Sequence, residues 1–308
     1  MSELSRFGIV GTSRKVGEHR IPIHPEHFDR IPGFVARRLV FERGYGERFG
    51  IPDSVLEKRF GGVATRAELL GECDGVLLPK PTVEDMLELR KGGILWGWPH
   101  CVQQQEITDV AVDRGQTVLA FESMFLWSDG SKGMHLFYRN NELAGYCAVL
   151  HALSLRGETG HFGRPLRATV VSFGSVSRGA IRALQGLGVH DFEVYTLRPP
   201  WTVGDRMAGG LYGRIVREAD GSVHVLEPDG THRELVEAFA DADVIVNGIL
   251  QDTDDPIMYM QEGDEDRLRP GSLIVDVSCD LGMGFPLSLI HISEPTRPRR
   301  QSRMPSCA

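Results

Sequence analysis

Four polar residues in the first half of the chain could carry acid–base and anion chemistry. Arg20 lies in GEHRIPIHP, Lys80 closes VLLPKPT between two prolines, His100 closes LWGWPH and Glu122 ends VLAFES. An arginine can clamp a carboxylate with two hydrogen bonds. A lysine in a desolvated pocket can act as an acid or base or polarise a carbonyl, and a nearby histidine can exchange a proton near neutral pH. The set indicates a site for a small carbonyl or carboxylate substrate.

A second candidate site lies in VVSFGSVSRGAIRAL, where a strand, a glycine turn and a helix follow one another. Such a turn places the pyrophosphate of a dinucleotide on exposed N–H groups at the start of the helix. The glycine pattern is degraded, because a strict G-x-G-x-x-G would need glycine at 172, 174 and 177 and the chain has Ser172, Gly174 and Ser177. Taken alone, the motif fits a structural turn about as well as a cofactor site.

The next predicted strand ends in Tyr195-Thr196-Leu197-Arg198. NAD-binding folds usually place an acidic residue there for the ribose hydroxyls. A hydroxyl and an arginine in its place favour a 2'-phosphate and therefore NADP(H), with NAD as the less favoured alternative. A surface arginine that caps the strand is the structural alternative.

Short apolar runs alternate with helical patterns along the chain, which predicts an α/β architecture. A helix is predicted from Asn141 to Leu155, from apolar residues at three- and four-residue spacing. The predicted strands precede or follow the candidate residues: Phe7–Gly11, Phe34–Glu42, Gly75–Pro79, Gly92–Trp98, Gln116–Glu122, Arg167–Gly174, Asp191–Leu197, Ala242–Ile249 and Gly271–Asp280. Open α/β sheets hold their ligands at the carboxyl ends of the strands, where the candidate residues fall.

The composition limits the kinds of partner and the cell compartment that we expect for this protein. The 308 residues carry a formal net charge of -8, which argues against nucleic acid or an anionic membrane as a partner. No apolar run approaches the roughly 20 residues that span a bilayer. The five cysteines are odd in number and far apart, which predicts reduced thiols and a cytoplasmic protein.

Taken together and in this order, seven segments resemble the alanine dehydrogenase, transhydrogenase and saccharopine dehydrogenase superfamily, nearest to its carboxyethylornithine synthase branch. The resemblance rests on GEHRIPIHP, CDGVLLPKP, WGWPHCVQQ, QTVLAFESM, VVSFGSVSRGAIRAL, VYTLRPP and IVDVSCDLGMGFP. It implies two Rossmann-like domains, one for substrate and one for NAD(P).

The resemblance also implies roles for particular residues. Arg20 would hold the substrate carboxylate with Glu122 as a further substrate residue, Lys80 and His100 would flank the reacting carbon, and Asp280 would lie where cofactor and substrate meet. The residues expected to bind the cofactor are Ser172, Gly174, Ser175, Val176, Ser177, Thr196, Arg198 and Asn247. No metal site is expected. The segment LGMG after Asp280 departs from the branch, which favours an acidic residue there.

The activity that the resemblance implies is a reductive amination, in which pyruvate condenses with an amine and the imine is reduced by NADPH. Ornithine or another amino acid is the expected amine, and a homo-oligomer is the expected assembly. Two alternatives stay open: an alanine dehydrogenase that uses ammonia and NADH, and a non-catalytic module that binds NADP.

The expected domains are a substrate domain over residues 1–138 and an NAD(P)-binding domain over 139–286. From Leu287 the chain changes character, with three prolines, four arginines and no helical or strand period. LSLIHISEPTR resembles the in-frame translation of an adaptor used to prepare DNA sequencing libraries, and a disordered tail is the alternative. We therefore expect residues 287–308 to be non-native, and the segment with which this superfamily completes its substrate domain to be missing.

Overall fold

A computed structural model describes residues 5–202, 204–227, 229–249, 251, 255–278 and 283–286. The chain forms two compact units, Met1–Leu136 and Phe137–Ala308. The predicted tail over 287–308 lies outside the described residues.

The first unit is built on a six-stranded parallel sheet. Its strands are β1 (Phe7–Ile9), β2 (Leu39–Glu42), β3 (Gly62–Ala64), β4 (Gly75–Leu77), β5 (Ile94–Gly97) and β6 (Thr117–Ala120). Its helices are α1 (Gly33–Ala36), α2 (Asp53–Arg59), α3 (Arg66–Glu72), α4 (Val83–Glu88) and α5 (Gln105–Asp113). A hairpin of β7 (Phe125–Ser128) and β8 (Ser131–His135) forms a separate two-stranded sheet.

The strand order of this sheet is β3-β2-β1-β4-β5-β6, which is the order of a doubly wound nucleotide-binding fold. Successive residues of a strand enter separate cores: Ile9 packs in one cluster and Val10 in another, and Phe41 and Val40 divide in the same way. Both faces of the sheet are therefore buried, as a parallel sheet requires. The order reverses between β1 and β4, so the crevice for a ligand opens beyond the ends of these strands.

The second unit begins with the long helix α6 (Tyr138–Arg156), which contains the predicted helix of residues 141–155. Two more helices follow, α7 (Ser175–Gly186) and α8 (Leu235–Phe239). The strands are β9 (Arg167–Val171), β10 (Asp191–Thr196), β11 (Gly210–Arg217), β12 (Val223–Leu226), β13 (His232–Glu234), β14 (Val244–Asn247) and β15 (Leu273–Asp276).

The seven-stranded sheet of this unit has the order β13-β12-β11-β10-β9-β14-β15. Five neighbouring strands of this sheet are parallel, namely β11, β10, β9, β14 and β15. The strands β12 and β13 extend the sheet beyond β11 as an antiparallel ribbon. Its order reverses between β9 and β14, beside the turn that opens α7. The prediction of two Rossmann-like α/β domains is confirmed.

One predicted strand is partly wrong. Residues 34–42 were expected to form a single strand, but the structure has the short helix α1 and then β2. The helix begins directly after Pro32, whose fixed φ suits a helix start. Only residues 39–42 pair with β1 and β3.

Candidate active site

Lys80 and His100 meet at the carboxyl edge of the first sheet. Each lies three residues beyond a strand, Lys80 after β4 and His100 after β5, and these strands are neighbours in the sheet. The Lys80 Nζ and His100 Nε2 atoms are 2.6 Å apart, within hydrogen-bond distance. Lys80 and His100 are 20 residues apart in the sequence and in contact in the fold.

The backbone brings the two loops together tightly. A Cβ atom on Gly97 would lie 2.0 Å from the Leu78 carbonyl oxygen, so only glycine allows this approach. The Trp98 N–H donates to the Pro79 carbonyl at 2.9 Å, which extends the pairing of the strands toward Lys80. His100 has a φ of 51°, a left-handed conformation that is uncommon for a residue with a side chain and is found at functional sites.

Glu122 holds His100 in this conformation. Its Oε1 atom accepts a hydrogen bond from the His100 backbone N–H at 2.8 Å. Its Oε2 atom is buried and has no hydrogen-bond partner among the described residues. Glu122 was expected to bind substrate, which stays a prediction; in the structure its carboxylate contacts the backbone of His100.

The pair is electrostatically asymmetric. Burial, with the charges of Lys15 and Arg20, lowers the pKa of Lys80 to about 8, although Glu18 and Glu122 oppose the shift. Burial and the charge of Lys80 lower the pKa of His100 to about 4. At pH 7 the lysine is therefore an ammonium ion and the histidine a neutral ring, so Lys80 donates to the lone pair of Nε2. The pair holds one acid and one base at the same pH.

Arg20 lies in the long loop after β1 and is bound to Glu18. The Arg20 Nε atom donates to Glu18 Oε1 at 2.8 Å, and Nη2 donates to Oε2. The guanidinium also lies over the Trp98 ring, 5.0 Å from its centroid. Burial raises the pKa of Glu18, but the hydrogen bonds from Arg20 outweigh this and lower it. Arg20 thus makes two hydrogen bonds to a carboxylate of the chain itself, and its expected binding of a substrate carboxylate stays a prediction.

An ion-pair network anchors the loop that carries Arg20. Glu42, at the end of β2, accepts hydrogen bonds from the backbone N–H groups of Gly11 and Thr12 at 2.7 and 2.8 Å. Asp85 accepts from Arg14 at 2.6 Å and from Arg66 at 2.7 Å.

Asp85 also contacts the loop that carries Lys80. Its other oxygen accepts the Thr82 N–H at 2.9 Å, which caps α4 two residues after Lys80. Since its side chain is only 1% exposed, Asp85 joins the loop of Arg20 to the loop of Lys80 in a buried position.

The glycine turn of the second unit joins β9 to α7. Ser172 has a φ of 82°, the conformation that favours the first glycine of the motif. Its Oγ atom accepts the Gly174 N–H at 3.2 Å, so one N–H that could face a phosphate is already used. A Cβ atom on Gly174 would meet only this Oγ, at 3.6 Å, so the turn is open on that side. Ser175 and Val176 begin α7, where the first N–H groups have no partner within the helix.

Ser177 takes the place of the third glycine. It is completely buried, and its hydroxyl donates to the Val171 carbonyl at the end of β9 at 3.2 Å. Gly179 lies two residues further along α7. Gly179 lets α7 approach α6, because its Cβ would lie 1.7 Å from the Glu142 carbonyl oxygen, and a Cβ on Gly145 would lie 1.9 Å from the Val176 carbonyl oxygen.

Thr196 and Arg198 close the end of β10 beside this turn. Thr196 is buried, and its hydroxyl accepts the Arg198 N–H at 3.3 Å. The Arg198 Nη2 atom donates to the Phe173 carbonyl within the glycine turn, at 3.2 Å. The arginine therefore lies where the glycine turn meets the end of β10.

Asn247 ends β14, directly beside β9, and is buried. Its side chain donates to Asp276 at 2.9 Å and accepts from the Ile249 N–H at 3.2 Å and the Tyr259 hydroxyl at 3.3 Å. These hydrogen bonds stabilise the end of β14, beside the point at which the strand order reverses between β9 and β14. Asp280 lies outside the described residues.

Three residues of the site were not anticipated from the sequence. Glu18 lies two residues before Arg20 in the same loop. Glu42 occupies the end of the second strand, where nucleotide-binding folds carry an acid. Asp85 follows a threonine by three residues, which is a capping pattern, but its two arginine partners are 19 and 71 residues away and leave no local signal.

Comparisons with known proteins agree with this architecture. No family model matches the chain. N(5)-(carboxyethyl)ornithine synthase of Clostridium botulinum is 24% identical over 279 residues, covering 86% of this chain and 74% of that protein. Alanine dehydrogenase of Mycolicibacterium smegmatis is 23% identical over 292 residues, covering 90% of this chain and 73% of the relative.

Solved structures show the same fold. A transhydrogenase from Sinorhizobium meliloti has a TM-score of 0.62 at 20% identity, covering 88% of this chain and 77% of its own. An L-alanine dehydrogenase has a TM-score of 0.62 at 18% identity, with 89% and 74% covered. The chain is thus similar in sequence to a carboxyethylornithine synthase and to alanine dehydrogenases, and in fold to a transhydrogenase and an alanine dehydrogenase. The resemblance found in its motifs is confirmed, and the relatives support an oxidoreductase that binds a pyridine nucleotide.

Two further properties bear on partners. Within the described ranges, no helix is long and apolar enough to cross a membrane. The same residues contain no cluster of three or more His, Cys, Asp or Glu side chains that could hold a metal ion. Cys73, Cys101 and Cys147 are free thiols.

Proposed function

We propose that the chain is an NADP-dependent oxidoreductase that condenses pyruvate with the amine of an amino acid and reduces the resulting imine. The observation that carries the proposal is the Lys80–His100 pair, 2.6 Å apart and opposite in protonation at neutral pH. The match to a carboxyethylornithine synthase supports the choice of reaction.

Arg20 would hold the carboxylate of pyruvate. For two hydrogen bonds to this guanidinium the substrate must replace Glu18, whose carboxylate already has the required geometry. Trp98 under the guanidinium keeps its plane fixed during the exchange. The carbonyl carbon of the bound pyruvate would then lie toward Lys80 and His100.

Proton transfer is the task of the pair. Formation of the imine transfers two protons from the attacking nitrogen to the carbonyl oxygen, which leaves as water. For each transfer the Lys80 ammonium would donate a proton to oxygen and the neutral His100 ring would accept one from nitrogen, and His100 would return its proton to Lys80 across their 2.6 Å contact. Glu122 keeps His100 in position through its backbone N–H. The nicotinamide, when bound, supplies the hydride that reduces the imine.

Arg198 and Thr196 support NADP as the cofactor. An arginine beside the glycine turn can bind a 2'-phosphate, and no acidic residue stands at the end of β10 to repel it. Ser175 and Val176 would present the N–H groups of the helix start to the pyrophosphate, over the open side of Gly174. We further propose a cytoplasmic homo-oligomer.

The test is an amine screen. The chain is incubated with pyruvate and NADPH, then with NADH, against ornithine, other amino acids and ammonia, and cofactor oxidation is followed at 340 nm. Lys80→Met should lower kcat by about 100-fold or more, with cofactor affinity intact. Lys58→Met, at an exposed lysine of α2, is the matched control. Wild-type rates in Lys80→Met would contradict the proposal.

Two alternatives are distinguished by the same screen. Six relatives are named alanine dehydrogenases, and an enzyme of that kind would prefer ammonia and NADH. The loss of the Gly174 N–H to Ser172 favours a non-catalytic binding module, which would bind NADPH and oxidise none with any amine.

A further inference from the structure

A cavity of about 520 Å³ opens between the loop after β1 and the segment after β2. Its size is within the range of about 300–1,000 Å³ found for small-molecule sites. It lies wholly in the first unit and does not include Lys80 or His100. Its wall is shared with the active site through Lys15 and Glu18, which line the cavity.

The charges of this cavity divide into committed and uncommitted groups. Arg14 is paired with Asp85 and Glu88, Glu18 with Arg20, and Glu42 with backbone N–H groups.

Lys15, Arg43 and Glu47 are different. Their side chains make no hydrogen bond or ion pair within the described part of the chain, and all three are exposed. The Glu47 carboxylate lies over Gly44, about 3.5 Å from where a Cβ would be. The cavity thus offers two cations and one anion that have no hydrogen-bond or ion-pair partner among the described residues.

We propose that this cavity binds the amino-acid partner of the reaction, with Lys15 and Arg43 on its α-carboxylate and Glu47 on its α-ammonium group. The inference rests on the proposed function and assigns a place to its second substrate. A second amine on a flexible side chain would extend past Glu18 toward Lys80 and His100. Ammonia needs no such cavity.

The connection to the catalytic pair has independent support. Glu18, which lines the cavity, accepts hydrogen bonds from Arg20 of the active site, and the charge of Lys15 contributes to the lowered pKa of both Lys80 and His100. A carboxylate bound at Lys15 would offset part of this charge, so binding of the amino acid would raise the pKa of Lys80 and of His100. Arg43 and Glu47 have no such effect on Lys80 or His100, which makes them the better positions for a test.

The experiment measures steady-state kinetics of Arg43→Ala and Glu47→Gln. L-ornithine is the probe, and 1,4-diaminobutane, which lacks the carboxylate, is the matched compound. We expect Arg43→Ala to raise KM for ornithine about tenfold, the effect of one hydrogen bond to a charged group. KM for diaminobutane, KM for pyruvate and the rate with ammonia should stay unchanged. Glu47→Gln should also raise KM for ornithine.

Arg30→Ala and Glu57→Gln, at exposed positions outside the cavity, are the controls. Unchanged KM for ornithine in both cavity variants would overturn the proposal. If the wild-type chain oxidises no NADPH with any amine, the proposed function has failed, and calorimetric titration of L-ornithine into the chain decides the cavity. Binding that Arg43→Ala weakens supports the site, and absence of binding to the wild type rejects it.

Discussion

Replacing Lys80 with methionine should lower kcat by about 100-fold or more and at the same time stabilise the first unit. Methionine keeps the approximate length of the side chain, but it removes the ammonium group, whose charged form is destabilised by burial. The fall of its pKa from 10.5 to about 8 measures that cost, which is about 3 kcal/mol at about 1.4 kcal/mol for each pH unit. Solvent reaches part of the side chain, so about 1–2 kcal/mol is the gain to expect at pH 7.

The sign of the effect depends on pH. Below pH 8 both folded and unfolded chains carry the proton, and the folded wild type bears the full cost. Between pH 8 and 10.5 the unfolded chain binds the proton more tightly, so wild-type stability rises with pH. The advantage of Lys80→Met should therefore shrink above pH 8 and vanish near pH 10.5.

Urea unfolding followed by tryptophan fluorescence measures this difference, since three of the four tryptophans lie within residues 1–136. The His100 ring gives a second readout by NMR: without the neighbouring charge its pKa should rise from about 4 toward 6.5. Lys58→Met should change neither. A Lys80→Met variant that is less stable than wild type at pH 7, with the His100 pKa unmoved, would refute the electrostatic account of the pair.

Four other outcomes are expected. Competitive acetylation of the five lysines, resolved by mass spectrometry, should titrate Lys80 with a midpoint near pH 8; a midpoint near 10.5 would contradict its desolvation. Arg198→Glu should weaken NADPH binding by about 1–3 kcal/mol and shift preference to NADH; equal use of both cofactors by the wild type would count against the assignment. Asp85→Asn should destabilise the first unit by about 2–4 kcal/mol in urea, toward the cost of breaking a buried ion pair, and should lower kcat/KM for pyruvate; wild-type stability would show that the network is dispensable. Gly179→Ala should destabilise the second unit by about 1–3 kcal/mol or more in thermal unfolding, because the backbone of Glu142 cannot move aside; an unchanged Tm would disprove the close helix crossing.

The sequence predicts those parts of the fold whose signals are local. Buried parallel strands appear as apolar runs, and the glycine turn with its helix follows β9 directly, so the two sheets and the positions of Lys80 and His100 at strand ends could be foreseen. The hairpin β7–β8 could not, since its strands are exposed and polar residues interrupt the apolar pattern.

The partners of the site residues were also beyond prediction. Glu18 binding to Arg20 depends on the path of an irregular loop, and Asp85 meets two arginines from distant segments. These contacts are set by tertiary packing, for which neither spacing nor composition carries a signal. The same holds for the cavity with Arg43 and Glu47. In the sequence these residues look like ordinary surface charges, and only the folded loop after β1 makes them part of a cavity.

The carboxylate of Glu42 distinguishes the first sheet from a coenzyme-binding sheet with the same strand order. This sheet has the topology of a dinucleotide fold, yet the N–H groups that open its first loop already bind an internal anion. A phosphate arriving there would meet a negative charge that is only 6% exposed and held by three hydrogen bonds. In the first sheet the position that a phosphate takes in a dinucleotide fold is therefore occupied by a carboxylate of the chain itself. We expect a nucleotide to bind at the second sheet instead, with a stoichiometry of one per polypeptide.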